Sequence, residues 1–119
     1  MVRFALGFVL LAALPAQATD FTAINEKSEF LDLIRGRELR IGMFNLTLNL
    51  AENGTITGSA LGWGITGTWA WKDGFFCREM DWSGKAIEYN CQLVEARGTE
   101  KLRFTVDRGA GDSASFNLQ

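Results

Sequence analysis

The sequence contains no histidine and only two cysteines among its 119 residues. Without histidine, the chain lacks the usual general base for a serine or cysteine nucleophile, and it also lacks the motif G-x-S-x-G. A tetrahedral zinc site would need both cysteines and two carboxylates. The sequence therefore predicts a protein without a metal or other cofactor, and it favours a binding protein over an enzyme.

Positive charge is also scarce. The chain has 12 lysines and arginines against 14 aspartates and glutamates, a formal net charge of −2, and no basic stripe. Because nucleic-acid binding requires clustered lysines and arginines that neutralise phosphates, this composition argues against nucleic acid as a partner.

Long apolar runs are missing except at the N terminus, where eleven mostly apolar residues, 4–14, follow Arg3. A proline and the small-x-small sequence AQA end this run, which is the pattern of a secretory signal peptide. The run is shorter than the roughly 20 residues that a spanning helix needs. We predict a signal peptide over residues 1–18, a single periplasmic or secreted domain over 19–119, and no stable membrane span after cleavage.

From residue 38 onward the hydrophobic pattern has the period of two that is typical of β-strands. The phase of this alternation reverses between 39–43 and 44–50, which predicts a bulge or break at their junction. Turn sequences such as Asn53-Gly54 and Asp73-Gly74 recur about every ten residues. The pattern predicts an all-β fold, an antiparallel meander barrel of seven or eight strands.

Residues 22–36 instead show a helical pattern. Thr22 or Asn25 is placed to cap a helix, and Gly36 is placed to end it. The apolar stripe of this segment consists of Ile24, Phe30, Leu31 and Ile34. We predict a short N-terminal helix that covers the sheet.

The segment GWGITG, residues 62–67, matches the dinucleotide-binding pattern G-x-G-x-x-G, and Asp81 stands near the expected acidic position. A dinucleotide loop must be followed by a helix, because the pyrophosphate binds at the helix N-terminus. The next residues, TWAWKDG, alternate with strand period and end in a hairpin turn. We therefore predict continued strand at this point and no nicotinamide cofactor.

A hairpin centred on Gly84 would place Cys77 opposite Cys91, because each cysteine lies seven residues from the centre. Opposed residues of neighbouring strands are close enough for a disulfide. An even number of cysteines in an exported chain also favours a disulfide. We predict a bond between the two cysteines.

The same register predicts that Glu79 lies opposite Tyr89 and that Asp81 shares their face with the cysteines. This face is the more apolar one, so we predict that it faces the core. Arg78 lies on the other face and is a further candidate for contact with a ligand or partner. Buried carboxylates would suit acid–base chemistry or a cationic ligand. Alternatively, they lie in solvent at the barrel rim, or Tyr89 and an arginine satisfy Glu79.

The tryptophans are further candidates for a binding site. Trp69 and Trp71 share one strand face, where they either fill the core or line a ligand cavity beneath the helix. Trp63 stands between two glycines at a predicted turn, where it either covers the open end of the barrel or anchors a ligand or partner.

The blocks GTWAWKDGFFCRE, NCQL and RFTVDRGAGDSASF resemble a group of small exported bacterial proteins, some of which carry the label dihydrodipicolinate reductase. Enzymes with that activity have two domains, a Rossmann fold and a histidine-bearing catalytic motif. This chain has no histidine and is too short for two such domains, so its residues do not support the activity.

A helix followed by a β-meander with G-x-W is similar to the calycin and lipocalin-like architecture, which implies a small apolar ligand. SGKAIEY, residues 83–89, is similar to a loop of periplasmic lysozyme inhibitors, which implies partner contacts by Ser83, Gly84, Lys85 and Tyr89. The favoured function is non-enzymatic binding of a small apolar ligand or an envelope partner. The alternatives are inhibition of a hydrolase such as lysozyme, the labelled reductase activity, and an enzyme that uses Glu79 and Asp81.

Overall fold

The computed structural model describes residues 20–119, so the predicted signal peptide lies outside the described residues. Short 3₁₀ turns occupy Gly42–Phe44 and Asp107–Gly109. The helix and strands of this part of the chain are β1 (Thr22–Ala23), α1 (Lys27–Ile34), β2 (Leu39–Ile41), β3 (Leu46–Leu50), β4 (Thr55–Ala60), β5 (Trp63–Lys72), β6 (Phe75–Trp82), β7 (Lys85–Arg97), β8 (Lys101–Thr105) and β9 (Ser113–Leu118).

Eight strands of the described chain form a closed antiparallel barrel in the order β7-β6-β5-β4-β3-β2-β9-β8, and β8 returns to β7. The predicted all-β meander barrel with a short N-terminal helix is therefore confirmed. The two-residue strand β1 lies outside this ring and pairs with the C-terminal half of β7, with Thr22 opposite Ala96.

The predicted break between residues 43 and 44 falls within the 3₁₀ turn Gly42–Phe44, which separates β2 from β3. Asn45, which follows the turn, has a φ of 46° and so reverses the chain direction. Because β2 is short, β9 pairs with it only at Asn117 and Leu118. Within the described chain, residues 113–116 therefore pair with β8 alone, which leaves the barrel wall incomplete at this place.

Helix α1 closes one end of the barrel. It begins at Lys27 after Glu26, whose side chain makes no capping hydrogen bond. The predicted caps were wrong, because Thr22 belongs to β1 and the carbonyl of Asn25 instead accepts a hydrogen bond from Trp71 Nε1 at 3.1 Å. Gly36, with a φ of 70°, follows the helix at the predicted place.

Aromatic rings fill the space under the helix. Phe30 is fully buried, and its ring centroid lies 5.5 Å from that of Trp69 and 5.0 Å from that of Trp71. It also contacts Phe76 and Phe104 at centroid distances of 5.5 and 6.3 Å. One helical side chain therefore ties α1 to three strands of the barrel.

Replacing Phe30 with alanine should lower the free energy of unfolding by about 3–5 kcal/mol, because the other rings cannot collapse fully into the space it leaves. Urea denaturation followed by circular dichroism would measure this loss. Met43→Ala is the control, since Met43 is 86% exposed and its removal should change stability by less than about 0.5 kcal/mol. Similar midpoints for both variants would show that the helix does not depend on this ring.

The hairpin of β6 and β7 confirms the predicted disulfide, and Cys77 lies opposite Cys91. Arg78 also lies opposite Asn90, as predicted. Beyond this point the predicted register was wrong. A bulge follows Arg78, so that Asp81 lies opposite Ala86 rather than Ile87.

The reason for this shift lies in the turn. Ser83 and Gly84 both have positive φ angles, 50° and 96°, which is the conformation of a tight two-residue hairpin turn. Such a turn places Trp82 opposite Lys85. The disulfide requires a register that is one residue different, and the bulge reconciles the two.

The predicted core face of this hairpin was also wrong. Phe76, Arg78 and Met80 face the barrel interior, whereas the disulfide lies on the outer face. Sequence reasoning failed because the loop after β8 covers the outer face. Gly109 lies against Leu93, and the Arg108 guanidinium lies 5.4 Å from the centroid of the Phe75 ring. Apolar residues on that face are therefore shielded without belonging to the core.

The glycines of GWGITG serve strand and turn geometry. Leu61 and Gly62 have φ angles of 53° and 82° and form the turn between β4 and β5. Strand β5 then continues through Gly67 to Lys72, so the predicted continuation as strand is confirmed. A Cβ atom on Gly67 would collide with the carbonyl oxygen of Glu79, which explains the glycine without any phosphate.

Removing the disulfide by the double replacement Cys77→Ala/Cys91→Ala should lower the free energy of unfolding by about 3 kcal/mol, because the bond closes a loop with a sequence separation of 14. Chemical denaturation of oxidised protein would measure the change. Wild-type protein unfolded in the presence of a thiol reductant should match the variant. Equal stability of the oxidised wild type and the variant would contradict this expectation.

Candidate functional site

The barrel interior contains a cavity of about 290 Å³ on the side of the core away from α1. Phe76 and Phe104 form its floor, because each contacts Phe30 on one side and lines the cavity on the other. The lining side chains come from seven strands and from the loop between β8 and β9, and they are Leu39, Leu48, Leu50, Ile56, Phe76, Arg78, Met80, Gln92, Phe104, Val106, Asp112, Ser113, Ala114 and Phe116.

A second cavity of about 240 Å³ adjoins the first and is lined by apolar residues alone. The two cavities share Leu48, Met80 and Phe116 as lining residues, so they form neighbouring parts of one interior space. The residues that line the second cavity are Phe44, Leu46, Leu48, Ala60, Leu61, Ile65, Met80, Trp82, Ile87 and Phe116.

The second cavity lies at the end of the barrel opposite the helix. Two backbone hydrogen bonds join the turns at this end: Leu61 N to Phe44 O at 3.1 Å, and Ser83 N to Gly64 O at 3.0 Å. Large apolar side chains are exposed there, including Met43, Phe44, Leu61 and Trp63. We call this end of the molecule the open end.

Arg78 contributes a positive charge to the otherwise mainly apolar first cavity. Strand alternation places it inward between Phe76 and Met80, and the residue is only 9% exposed. Its Nη1 donates a hydrogen bond to the carbonyl oxygen of Glu88 at 2.6 Å. Burial lowers the pKa of the Arg78 guanidinium below its ordinary value.

No carboxylate within residues 20–119 forms an ion pair with Arg78, although Arg35 after the helix and Arg103 of the barrel have such partners. Arg103, for example, lies 3.0 Å from the carboxylate of Glu95. Asp112 lines the same cavity but lies beyond the 4 Å of an ion pair. A buried charge of this kind is unfavourable for folding unless something compensates it.

Gln92 is a second buried polar group in the first cavity. It is 7% exposed, and its amide makes no side-chain hydrogen bond within the described part of the chain. It lies on β7 next to Asn90, two residues along, which faces Arg78 across the hairpin. Arg78 and Gln92 thus place hydrogen-bond donors on neighbouring strands of one cavity wall. Sequence reasoning missed Gln92, because only the observed inward face gives it a role.

The structure separates Trp69 and Trp71 from this cavity. Trp69 is buried beside the helix, and its Nε1 donates to the carbonyl of Ala51 at 3.0 Å. Trp71 stacks on Phe30. Neither indole lines the two cavities, and both pack against Phe30 of the helix. Of the two interpretations of these residues, their positions favour the core.

Glu79, Asp81 and Tyr89 lie on the outside of the barrel. Glu79 is exposed, and the Asp81 carboxylate accepts a hydrogen bond from Gly84 N at 2.8 Å. The hydroxyl of Tyr89 lies 3.4 Å from Cys91 Sγ. The prediction that this face is the core face was therefore wrong, and the exposure of Glu79 agrees with the alternative that the carboxylates lie in solvent.

The remaining candidates lie at the open end. Ser83, Gly84 and Lys85 are exposed, but they belong to a tight turn that is joined to β5 rather than to a protruding loop. Trp63 is 61% exposed and stands beside the neighbouring turn. The structure does not bring these residues together with Arg78 and Gln92.

Within residues 20–119, no three cysteine, aspartate or glutamate side chains gather into a group that could hold a metal ion. No helix in the same range has the length and apolarity to cross a membrane.

No family model, curated protein or solved structure matches this chain. The case for a function therefore depends on the geometry of the barrel interior.

Replacing Arg78 with methionine should leave the free energy of unfolding unchanged or raise it by up to about 2 kcal/mol. The replacement removes an uncompensated buried charge, and the methionine side chain fills a similar volume. Thermal and urea denaturation would measure the difference. Arg40→Met, on the outer face opposite Thr47, is the matched control. A loss above about 1 kcal/mol in Arg78→Met alone would assign Arg78 a structural role.

Proposed function

We propose that this chain is a non-enzymatic binding protein that acts in the periplasm or outside the cell and holds a small apolar molecule inside its barrel. The observation that carries the proposal is the apolar interior space between the helix and the open end. Its two parts, of about 290 and 240 Å³, are together in the range typical of small-molecule sites, roughly 300–1,000 Å³.

The interior space would lower the stability of the barrel if it stayed empty. Protein interiors are close-packed, and an unfilled cavity costs stability in proportion to its volume. A domain of this size has little stability to lose. A cavity of this extent within residues 20–119 is therefore more easily explained by a ligand than by imperfect packing.

The polar groups support binding rather than catalysis. The candidate carboxylates Glu79 and Asp81 lie on the outer face, away from the cavity. Inside, Arg78 and Gln92 offer hydrogen-bond donors. Such a site is suited to orienting a molecule, because binding sites are typically apolar pockets with a small number of convergent polar groups.

The proposal is tested with N-phenyl-1-naphthylamine, an uncharged fluorescent probe that brightens in apolar surroundings. The wild type should bind it with a fluorescence increase, and Met80→Trp should bind it at least about tenfold more weakly. Met80 lines both parts of the cavity, so a tryptophan there would occupy the space that the probe needs.

Met43→Trp is the matched control, because it adds the same side chain at a position that is 86% exposed. This variant should bind the probe as the wild type does. No fluorescence increase in the wild type, or the same titration curve for wild type and Met80→Trp, would refute binding inside the barrel.

Inhibition of a hydrolase such as lysozyme stays a prediction from sequence resemblance. The residues it would use, Ser83, Gly84 and Lys85, are exposed. In that case Ser83→Ala would weaken a complex with lysozyme, whereas the cavity variant Met80→Trp would leave it unchanged.

A further inference from the structure

We infer that the ligand is an acidic amphiphile, whose carboxylate binds Arg78 and Gln92 in the first cavity while its apolar part extends through the second cavity toward the open end. This inference rests on the proposed function and specifies the ligand class that the same cavity takes. It is carried by two polar side chains, each more than nine-tenths buried, that line a mainly apolar space.

Arg78 has hydrogen-bond donors that no group within residues 20–119 uses. A guanidinium has five N–H donors, and within residues 20–119 Arg78 uses one of them, from Nη1 to the Glu88 carbonyl. In the described chain, every side-chain nitrogen or oxygen that is inaccessible to solvent has a hydrogen-bond partner. The remaining donors of Arg78 therefore border accessible space, where a ligand atom can reach them.

A carboxylate is the group best suited to the free donors of Arg78. Arginine binds carboxylates through two parallel N–H···O bonds, and these charge-assisted bonds are stronger than neutral ones. The Gln92 side chain makes no hydrogen bond within residues 20–119 and can donate its amide N–H to the same group. An uncharged head group would leave the guanidinium charge uncompensated.

The linings of the two cavities indicate the direction in which the ligand extends. Arg78 belongs to the first cavity alone, whereas the next inward residue of β6, Met80, lines both cavities. Beyond Met80, every lining residue of the second cavity is apolar. A head group at Arg78 therefore places the apolar part of the ligand past Met80, toward the open end.

Asp112 is the competing explanation for Arg78, because its carboxylate lines the same cavity. It lies in the loop between the 3₁₀ turn Asp107–Gly109 and β9, and it is exposed. An exposed carboxylate remains solvated, so forming a pair with Arg78 would require it to give up that solvation. Its distance from the guanidinium exceeds that of an ion pair.

The experiment compares decanoate with decan-1-ol, which have the same chain length and differ in the head group. Each displaces N-phenyl-1-naphthylamine at neutral pH. The wild type should bind decanoate more tightly than decan-1-ol. Arg78→Met should bind decanoate roughly 10- to 100-fold more weakly than the wild type, whereas binding of decan-1-ol should change by less than about threefold.

Arg40→Met is the matched control, since it removes the same charge from the outer face of the barrel and should leave the preference for decanoate intact. Gln92→Leu should weaken decanoate binding to a smaller extent than Arg78→Met. Equal affinities of the wild type for the acid and the alcohol, or an unchanged preference in Arg78→Met, would overturn the inference while leaving the proposed function in place. If neither compound nor the probe binds, the proposed function fails as well.

A second measurement decides the question even if Arg78→Met does not fold. In the wild type, ¹³C NMR of carboxyl-labelled decanoate should show that the pKa of the bound carboxylate is lower than that of the free acid, because the guanidinium stabilises its charged form. A bound pKa that is higher than the free value would place the carboxylate in apolar surroundings away from Arg78, and it would refute the inference.

Discussion

The aromatic layer of Phe30, Phe76 and Phe104 divides the interior of the barrel, and the rest of the structure depends on this division. Phe30 comes from the helix, and the other two rings come from strands β6 and β8. Below the layer, the helix packs against the buried Trp69. Above it, within the described chain, no element crosses the barrel, so the inward side chains of the strands line a cavity instead of a core.

This division explains why Arg78 can exist where it does. In the filled half of the barrel, an unpaired guanidinium would have no room for water or for a ligand, and its burial would destabilise the fold severely. In the open half, its donors border accessible space, and the Glu88 carbonyl next to the bulge accepts one of them. Under the proposed function, stability and binding would make opposite demands on this position, as is common where a fold keeps a functional group at some cost in stability.

Much of the fold could be predicted from the sequence, because strand period, turn residues and cysteine spacing are local signals. The barrel, the break at Gly42–Phe44 and the disulfide follow from such signals. The inward face of the β6–β7 hairpin could not be predicted in this way. It depends on the loop around Gly109, which covers Leu93 from outside, and no local pattern reports a contact between such distant segments. The role of Gln92 was missed for the same reason.

The incomplete wall of the barrel bears on how a molecule could reach the interior. Strand β2 ends at Ile41, so residues 113–116 of β9 lack a partner on that side within the described chain. Phe116 lines both cavities, and Phe44, on the other side of the same gap, lines the outer one. A gap in the strand pairing of a barrel wall is unfavourable for stability, and so is the exposure of Met43 beside it. In the proposed function, the incomplete wall lies at the end where the cavity opens and would give an apolar ligand a route into the barrel interior.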